Sequence, residues 1–251
     1  SHLPAAVALL AATFFSLPAV AQTLEQMAGQ MIVVGFSGDG AGDKSVAAIR
    51  SEIAAGTLGG VMYLKPNVAS LSAVRKMNAA FREASPEFPP LLTLDQEGGA
   101  VERLTEAVGF EELPNAERVA AAYSPAQAGD LYGGMAQKVA DLGFTVNFGP
   151  VVDINTNPRN EVIAKWGRAF GTTAHAVVPY ARAFVDAHRR AGVLTALKHF
   201  PGHGSSTADS HEGFVDITGS WEPSELDPYR SMIATGDVDI VMIGHLINTQ
   251  Y

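Results

Sequence analysis

Cysteine is absent from the 251 residues. That excludes disulfides, a thiol nucleophile, a thiolate metal site and a lipoprotein anchor, which needs a cysteine at its cleavage point. Basic residues are scarce. Seventeen Lys and Arg stand against 26 Asp and Glu, a net charge of −9, and no basic cluster exceeds Arg189-Arg190. Phosphate neutralisation has no cationic face to work with, so no nucleic-acid partner is expected. No G-x-S-x-G elbow occurs, which leaves Ser–His–Asp hydrolysis without support. Low-complexity linkers and fixed-period repeats are missing too. At 47% hydrophobic, with 25 Gly and 14 Pro, the chain suits one large α/β domain rather than two small ones.

What is present begins with an apolar segment. Residues 5–21 form a hydrophobic run broken by Pro18 and closed by Ala19-Val20-Ala21, an A-x-A cleavage pattern before Gln22. Residues 1–21 therefore read as a signal peptide, although a basic start is missing. The run is too short for a transmembrane span, so no stable membrane span is expected once it is removed. This predicts a periplasmic or secreted protein, or a cytoplasmic one if the segment is not a signal. The alternative is a buried first helix.

From Gln22 onward, strand-like and helix-like segments alternate. Strands are predicted over 31–36, 60–64, 91–95, 144–148, 193–197 and 240–245. Helices are predicted over 44–55, 70–84, 125–142, 174–191 and near 225–234. Such alternation predicts a parallel sheet wrapped by helices. Asp95, Asp153, Lys198 and His245 fall at strand C-terminal ends, the edge that carries the active site of a (β/α)8 barrel. A doubly wound sheet would want G-x-G-x-x-G after its first strand, and the glycines at 35, 38 and 40 do not fit. The fold class expected is α/β, a (β/α)8 TIM-type barrel truncated after its sixth strand, with residues 22–251 as an incomplete barrel domain.

The most informative stretch follows the fifth strand: Lys198-His199-Phe200-Pro201-Gly202-His203-Gly204-Ser205-Ser206-Thr207-Ala208-Asp209-Ser210-His211. A buried strand that runs into titratable groups and then a glycine-rich loop is how a barrel site is built. Asp209 and His211, two apart, can set a carboxylate beside an imidazole, orienting the ring and raising its proton affinity for acid/base work. The Gly202–Ser206 stretch suggests a mobile loop that delivers His211. A metal reading exists, with His199, His203, Asp209 and His211 as ligands. Without an H-E-x-x-H helix, and with Pro-Gly punctuation, no metal and no cofactor are expected.

This run resembles the KHFPGHG…DSH signature of bacterial β-N-acetylhexosaminidases in glycoside hydrolase family 3. Leu94-Asp95-Gln96-Glu97-Gly98-Gly99-Ala100-Val101-Glu102-Arg103-Leu104 is similar to the family's LDQEGGRVQRL stretch. The segment 147–155 resembles NFAPVxDxN, and 162–171 resembles VIG…R-S-F-G. Ala100, Ala164 and Ala169 depart from the common Arg, Gly and Ser. The resemblance implies that His211 is the acid/base, held by Asp209, and that Asp95, Arg103, Arg168, Lys198 and His199 bind the sugar. His245 matches a family histidine of less certain role. Asp153 is read mainly as a loop anchor, and Glu97 and Glu102 as structural carboxylates.

The implied activity is a retaining exo-β-N-acetylglucosaminidase acting on peptidoglycan fragments or chitooligosaccharides. Its partner is thus an amino-sugar oligosaccharide, and a monomer is expected. The family's nucleophile is an aspartate after the seventh strand, so it is expected beyond Tyr251. Asp227, Asp237 and Asp239 lie before the sixth strand, at the wrong end of the barrel. Three readings compete: a β-glucosidase of the same family, a glycoside phosphorylase, and a sugar-binding module without chemistry.

Overall fold

A computed structural model describes residues 22–209 and 213–250. The segment read as a signal peptide, and His211, lie outside the described residues. Strands occur at Val33–Gly35 (β1), Gly60–Tyr63 (β2), Leu91–Leu94 (β3), Val146–Asn147 (β4), Leu194–Phe200 (β5), Val215–Asp216 (β6), Ile240–Ile243 (β7) and Leu246–Ile247 (β8). The helices are Leu24–Gly29 (α1), Lys44–Ala55 (α2), Leu71–Ala84 (α3), Ala116–Ala122 (α4), Pro125–Asp141 (α5), Ala174–Arg190 (α6) and Asp227–Ala234 (α7). Their ends follow local chemistry. Ser124 accepts from Gln127 N at the start of α5, with Pro125 in the first helical position. Gly56, at φ +75°, closes α2 in the left-handed region that other residues avoid.

Six strands form one parallel sheet in the order β1-β2-β3-β4-β5-β7, and β6 pairs with β8 in a second, two-stranded sheet. Laid flat, four strand spacings would put β2 about 19 Å from β7. Met62 of β2 and Met242 of β7 nevertheless line one cleft, so the sheet curls into half a barrel. Its inner strands are sealed by Val61, Leu92, Leu94, Val146, Ala196 and Leu197, all buried. Its edges are not. Val33 on β1 is 37% exposed and Ile243 on β7 71% exposed.

The largest departure from the sequence reading is at β5, which runs on to Phe200. Pairing continues past the apolar run, Lys198 opposite Met242 and Phe200 opposite Ile243. Lys198 and His199 are thus strand residues, and the peptide between them is cis. Most other strands are shorter than expected, and α1, α4, β6 and β8 were not anticipated.

Helices α5 and α6 pack through Tyr132 and Phe184, whose ring centroids lie 4.9 Å apart. Phe184 also stacks on His188 at 4.1 Å. Asn147 fixes the state of that histidine. Its Oδ1 accepts from Gln96 N and its Nδ2 donates to Gln96 O, so the amide orientation is set. Nδ2 therefore also donates to His188 Nε2 (3.0 Å), while His188 Nδ1 donates to Phe184 O (2.9 Å). Both nitrogens are committed in a neutral ring, and burial lowers the pKa from 6.5 to about 4.

The sign follows from proton uptake. Below pH 6.5 the unfolded chain takes a proton that the folded one refuses until near pH 4. The contribution is therefore intact above 6.5 and lost as the pH falls through about 4. Between pH 7 and 4, wild type should lose roughly 3 kcal/mol more stability than His188→Leu in urea titrations. Parallel losses would show that His188 titrates normally.

Candidate active site

Asp95 directly follows β3. Residues two apart on extended backbone face the same way, and Asp95 and Glu97 both reach one ammonium. Lys198 Nζ lies 2.8 Å from Asp95 Oδ1 and 2.6 Å from Glu97 Oε1, and the lysine is 2% exposed. Gln96 between them faces away. Its Oε1 accepts from Arg103 N and Leu104 N, and its Nε2 donates to Leu104 O. That turn folds residue 103 back, so Arg103 Nη2 donates to Asp95 Oδ2 at 2.8 Å.

Arg168 arrives from the loop between β4 and α6 and grips Glu97 with two bonds, Nε to Oε2 (2.9 Å) and Nη2 to Oε1 (2.8 Å). Burial opposes ionisation of Glu97, but Arg168 and Lys198 outweigh it and hold the carboxyl well below the ordinary range. Burial opposes Asp95 as well, and Lys198 and Arg103 pull its pKa below normal. Asp95, Arg103, Arg168, Lys198 and His199, together with Met62, Val101, Met242 and His245, line a cleft of about 490 Å³ at the C-terminal edge of the sheet.

Asp153 is fully buried beside this cluster. It accepts from the backbone N–H of His199 (3.2 Å) and His203 (2.8 Å), and from His199 Nδ1 (2.7 Å). Burial raises its pKa, and these donors more than reverse that. It anchors the loop, and also orients a ring. With Nδ1–H on Asp153, His199 Nε2 accepts from Arg168 Nη2 at 3.3 Å. Burial lowers the His199 pKa, and Asp153 offsets this only in part, so the ring stays neutral. Three carboxylates (Asp95, Glu97, Asp153) thus balance three cations (Arg103, Arg168, Lys198).

The Gly202–Ser206 stretch, read as a mobile loop, is closely packed in this structure. All five residues are buried. Asn160 Nδ2 donates to His203 O and Gly204 O, Asn157 Nδ2 to Ser206 O, and Glu225 Oε2 accepts from Ser205 N. The glycines here permit close approach. A Cβ on Gly204 would overlap the Ile154 carbonyl oxygen, and one on Gly202 would lie 2.6 Å from Glu225 Cβ.

Residues 23–251 match the family described as "Glycosyl hydrolase family 3 N terminal domain". The chain belongs to glycoside hydrolase family 3. It is similar to a beta-hexosaminidase of Xylella fastidiosa (strain 9a5c), 36% identical over 229 residues, covering 86% of this chain and 64% of that one. It is also similar to the beta-hexosaminidase LpqI of Mycobacterium tuberculosis (strain ATCC 25618 / H37Rv), 38% identical over 165 residues, covering 63% of this chain and 40% of LpqI. A solved family-3 β-N-acetylglucosaminidase from Paenibacillus sp. str. FPU-7 superposes with a TM-score of 0.81. Its identity is 35%, over 91% of this chain and 43% of that one. This family-3 chain therefore spans less than two thirds of the length of these relatives.

Within the family-3 half-barrel, the five residues read as sugar ligands share one cleft. Asp209 is half-buried, three residues past Ser206, and His211 lies outside the described residues. Asp227, Asp237 and Asp239 are tied to Arg230, Arg182 and Arg189, and Asp237 and Asp239 come just before β7 begins. Glu102 accepts from Leu113 N, and burial lifts its pKa to about 7. Among the described residues no group of three or more His, Asp or Glu is placed to hold a metal ion. Two contributors escaped the sequence reading. Glu97 is not merely structural filler but the counter-ion of both Arg168 and Lys198, and the Asp-x-Glu spacing was its one signal. Asn160 had no signal beyond lying in an Asn-rich loop.

Proposed function

We propose that this chain carries the sugar-binding and acid/base parts of a retaining exo-β-N-acetylglucosaminidase. Its substrates are peptidoglycan fragments or chitooligosaccharides bearing a terminal GlcNAc. The observation that carries this reading is the convergence of Asp95, Arg103, Arg168, Lys198 and His199 on one cleft of a family-3 chain. Each Asp95 oxygen keeps a lone pair after accepting from Lys198 or Arg103, enough for two neighbouring sugar hydroxyls. Arg168 and Lys198 supply donors from a buried, pre-paired position, so little side-chain ordering is needed when sugar binds.

In this reading protonated His211, oriented by Asp209, gives its proton to the glycosidic oxygen as the C1–O bond breaks. An aspartate from chain beyond Tyr251 forms the bond to C1. Neutral His211 then takes a proton from water, whose oxygen attacks C1 and releases the aspartate. The apolar 5–21 run with its A-x-A end supports export, and no helix among the described residues is long and apolar enough to cross a membrane.

The complete protein should hydrolyse 4-nitrophenyl β-GlcNAc faster than the β-glucoside by roughly two orders of magnitude or more. Rates should not depend on phosphate. A reversed preference would favour the β-glucosidase, and phosphate-dependent release the phosphorylase. GlcNAc binding by calorimetry with no turnover would leave only a sugar-binding module.

A further inference from the structure

We propose that Asn160 is a positioning residue that registers the segment leading to Asp209 and His211 against the arginine that holds the sugar. The inference rests on the acid/base and sugar-binding roles proposed above. Asn160 is 1% exposed, in the loop between β4 and α6. Its Oδ1 accepts from Val162 N (2.8 Å) and Ile163 N (2.6 Å). Its Nδ2 faces His203 O (2.7 Å), Gly204 O (3.2 Å) and Ser206 Oγ (3.0 Å). Two N–H groups on one side and two carbonyls on the other fix which end is which.

The two ends hold different machinery. Arg168 hangs on the same two residues whose N–H groups Oδ1 accepts: its Nη1 donates to Val162 O (3.3 Å) and its backbone N to Ile163 O (3.0 Å). The Nδ2 end grips residues 203–206, whose other anchors are Asp153, Asn157 and Glu225. Asp209 follows three residues later. One buried amide therefore joins the arginine read as a sugar ligand to the base of the acid/base segment, across 43 to 46 positions of sequence. A shift of about 1 Å in such a relation costs on the order of 100-fold in rate.

Asn160→Asp separates the two ends. The isosteric carboxylate keeps an acceptor for Val162 and Ile163 but turns oxygen toward the two carbonyls. In the complete protein, kcat/KM for a GlcNAc disaccharide, which reports the acid-assisted step and whose poor leaving group needs the acid, should fall about 100-fold. For the 2,4-dinitrophenyl glycoside, which needs little protonation, the fall should stay within about fivefold, and the Kd for free GlcNAc within about twofold. A residue that only stabilises the fold would lower both rates together, and that result overturns the proposal. So does weakened GlcNAc binding with no leaving-group dependence.

Ser206→Ala cuts the same joint from the other side and repeats the test should Asn160→Asp not fold. If the wild type hydrolyses neither glycoside, the glycosidase reading fails instead. Hydrogen exchange then decides the joint: amides 203–206 should exchange faster in Asn160→Asp while those of Ile163 and Arg168 hold. No change in either group overturns it.

Discussion

Lys198→Met should lower stability by about 3–5 kcal/mol, read as a drop in the urea midpoint. The ammonium sits within 2.8 Å of Asp95 and 2.6 Å of Glu97 and is almost wholly shielded from water. Methionine fills nearly the same space, so a cavity does not explain the loss. What remains is charge: three carboxylates would face two guanidinium groups where burial already opposes ionisation of each acid. Against a total of roughly 5–15 kcal/mol for a protein of this kind, that is a large fraction. Adding Asp95→Asn to the same chain restores the balance and should recover part of the midpoint. An unmoved midpoint in the single variant would mean that the ammonium is not what neutralises these acids.

His211→Ala in the complete protein should lower kcat/KM on a GlcNAc disaccharide by roughly 10²- to 10⁴-fold, the usual range for a positioned general acid. The departing oxygen of a sugar is a strong base and cannot leave unprotonated. A 2,4-dinitrophenolate can, so the same variant should lose far less kcat/KM on that glycoside, while its kcat still falls because release from the aspartate needs His211 as base. Asp209→Asn should show the same selectivity to a smaller degree, since the ring is still present but less well oriented. Equal losses of kcat/KM on both glycosides would remove His211 from the proton-transfer role and leave it, at most, a binding group.

The alternation of apolar strands and capped helices was enough to place the parallel sheet and to order its six strands. Signals such as Ser124-Pro125 and Gly56 are local, and local chemistry is what a single sequence records. The end of β5 was not legible for the opposite reason. Lys198 looks like the start of a loop because a charged residue ends the apolar run. It remains on the strand because carboxylates some hundred residues earlier neutralise it. Glu97 and Asn160 are of the same kind, their roles set by partners 71 and 43 positions away. Glycine is ambiguous for a related reason. At 202 and 204 it marks a backbone squeezed against Glu225 and Ile154, and composition does not separate crowding from freedom.

The pairing of three carboxylates with three cations in and beside the cleft bears on how a ligand arrives. A neutral amino sugar meeting an electroneutral pocket displaces no counter-ions and feels no long-range pull. The −9 of the whole chain then matters to solubility and not to capture of a neutral chitooligosaccharide. Affinity in the cleft should accordingly be nearly indifferent to ionic strength, with short hydrogen bonds rather than field setting how long the sugar stays.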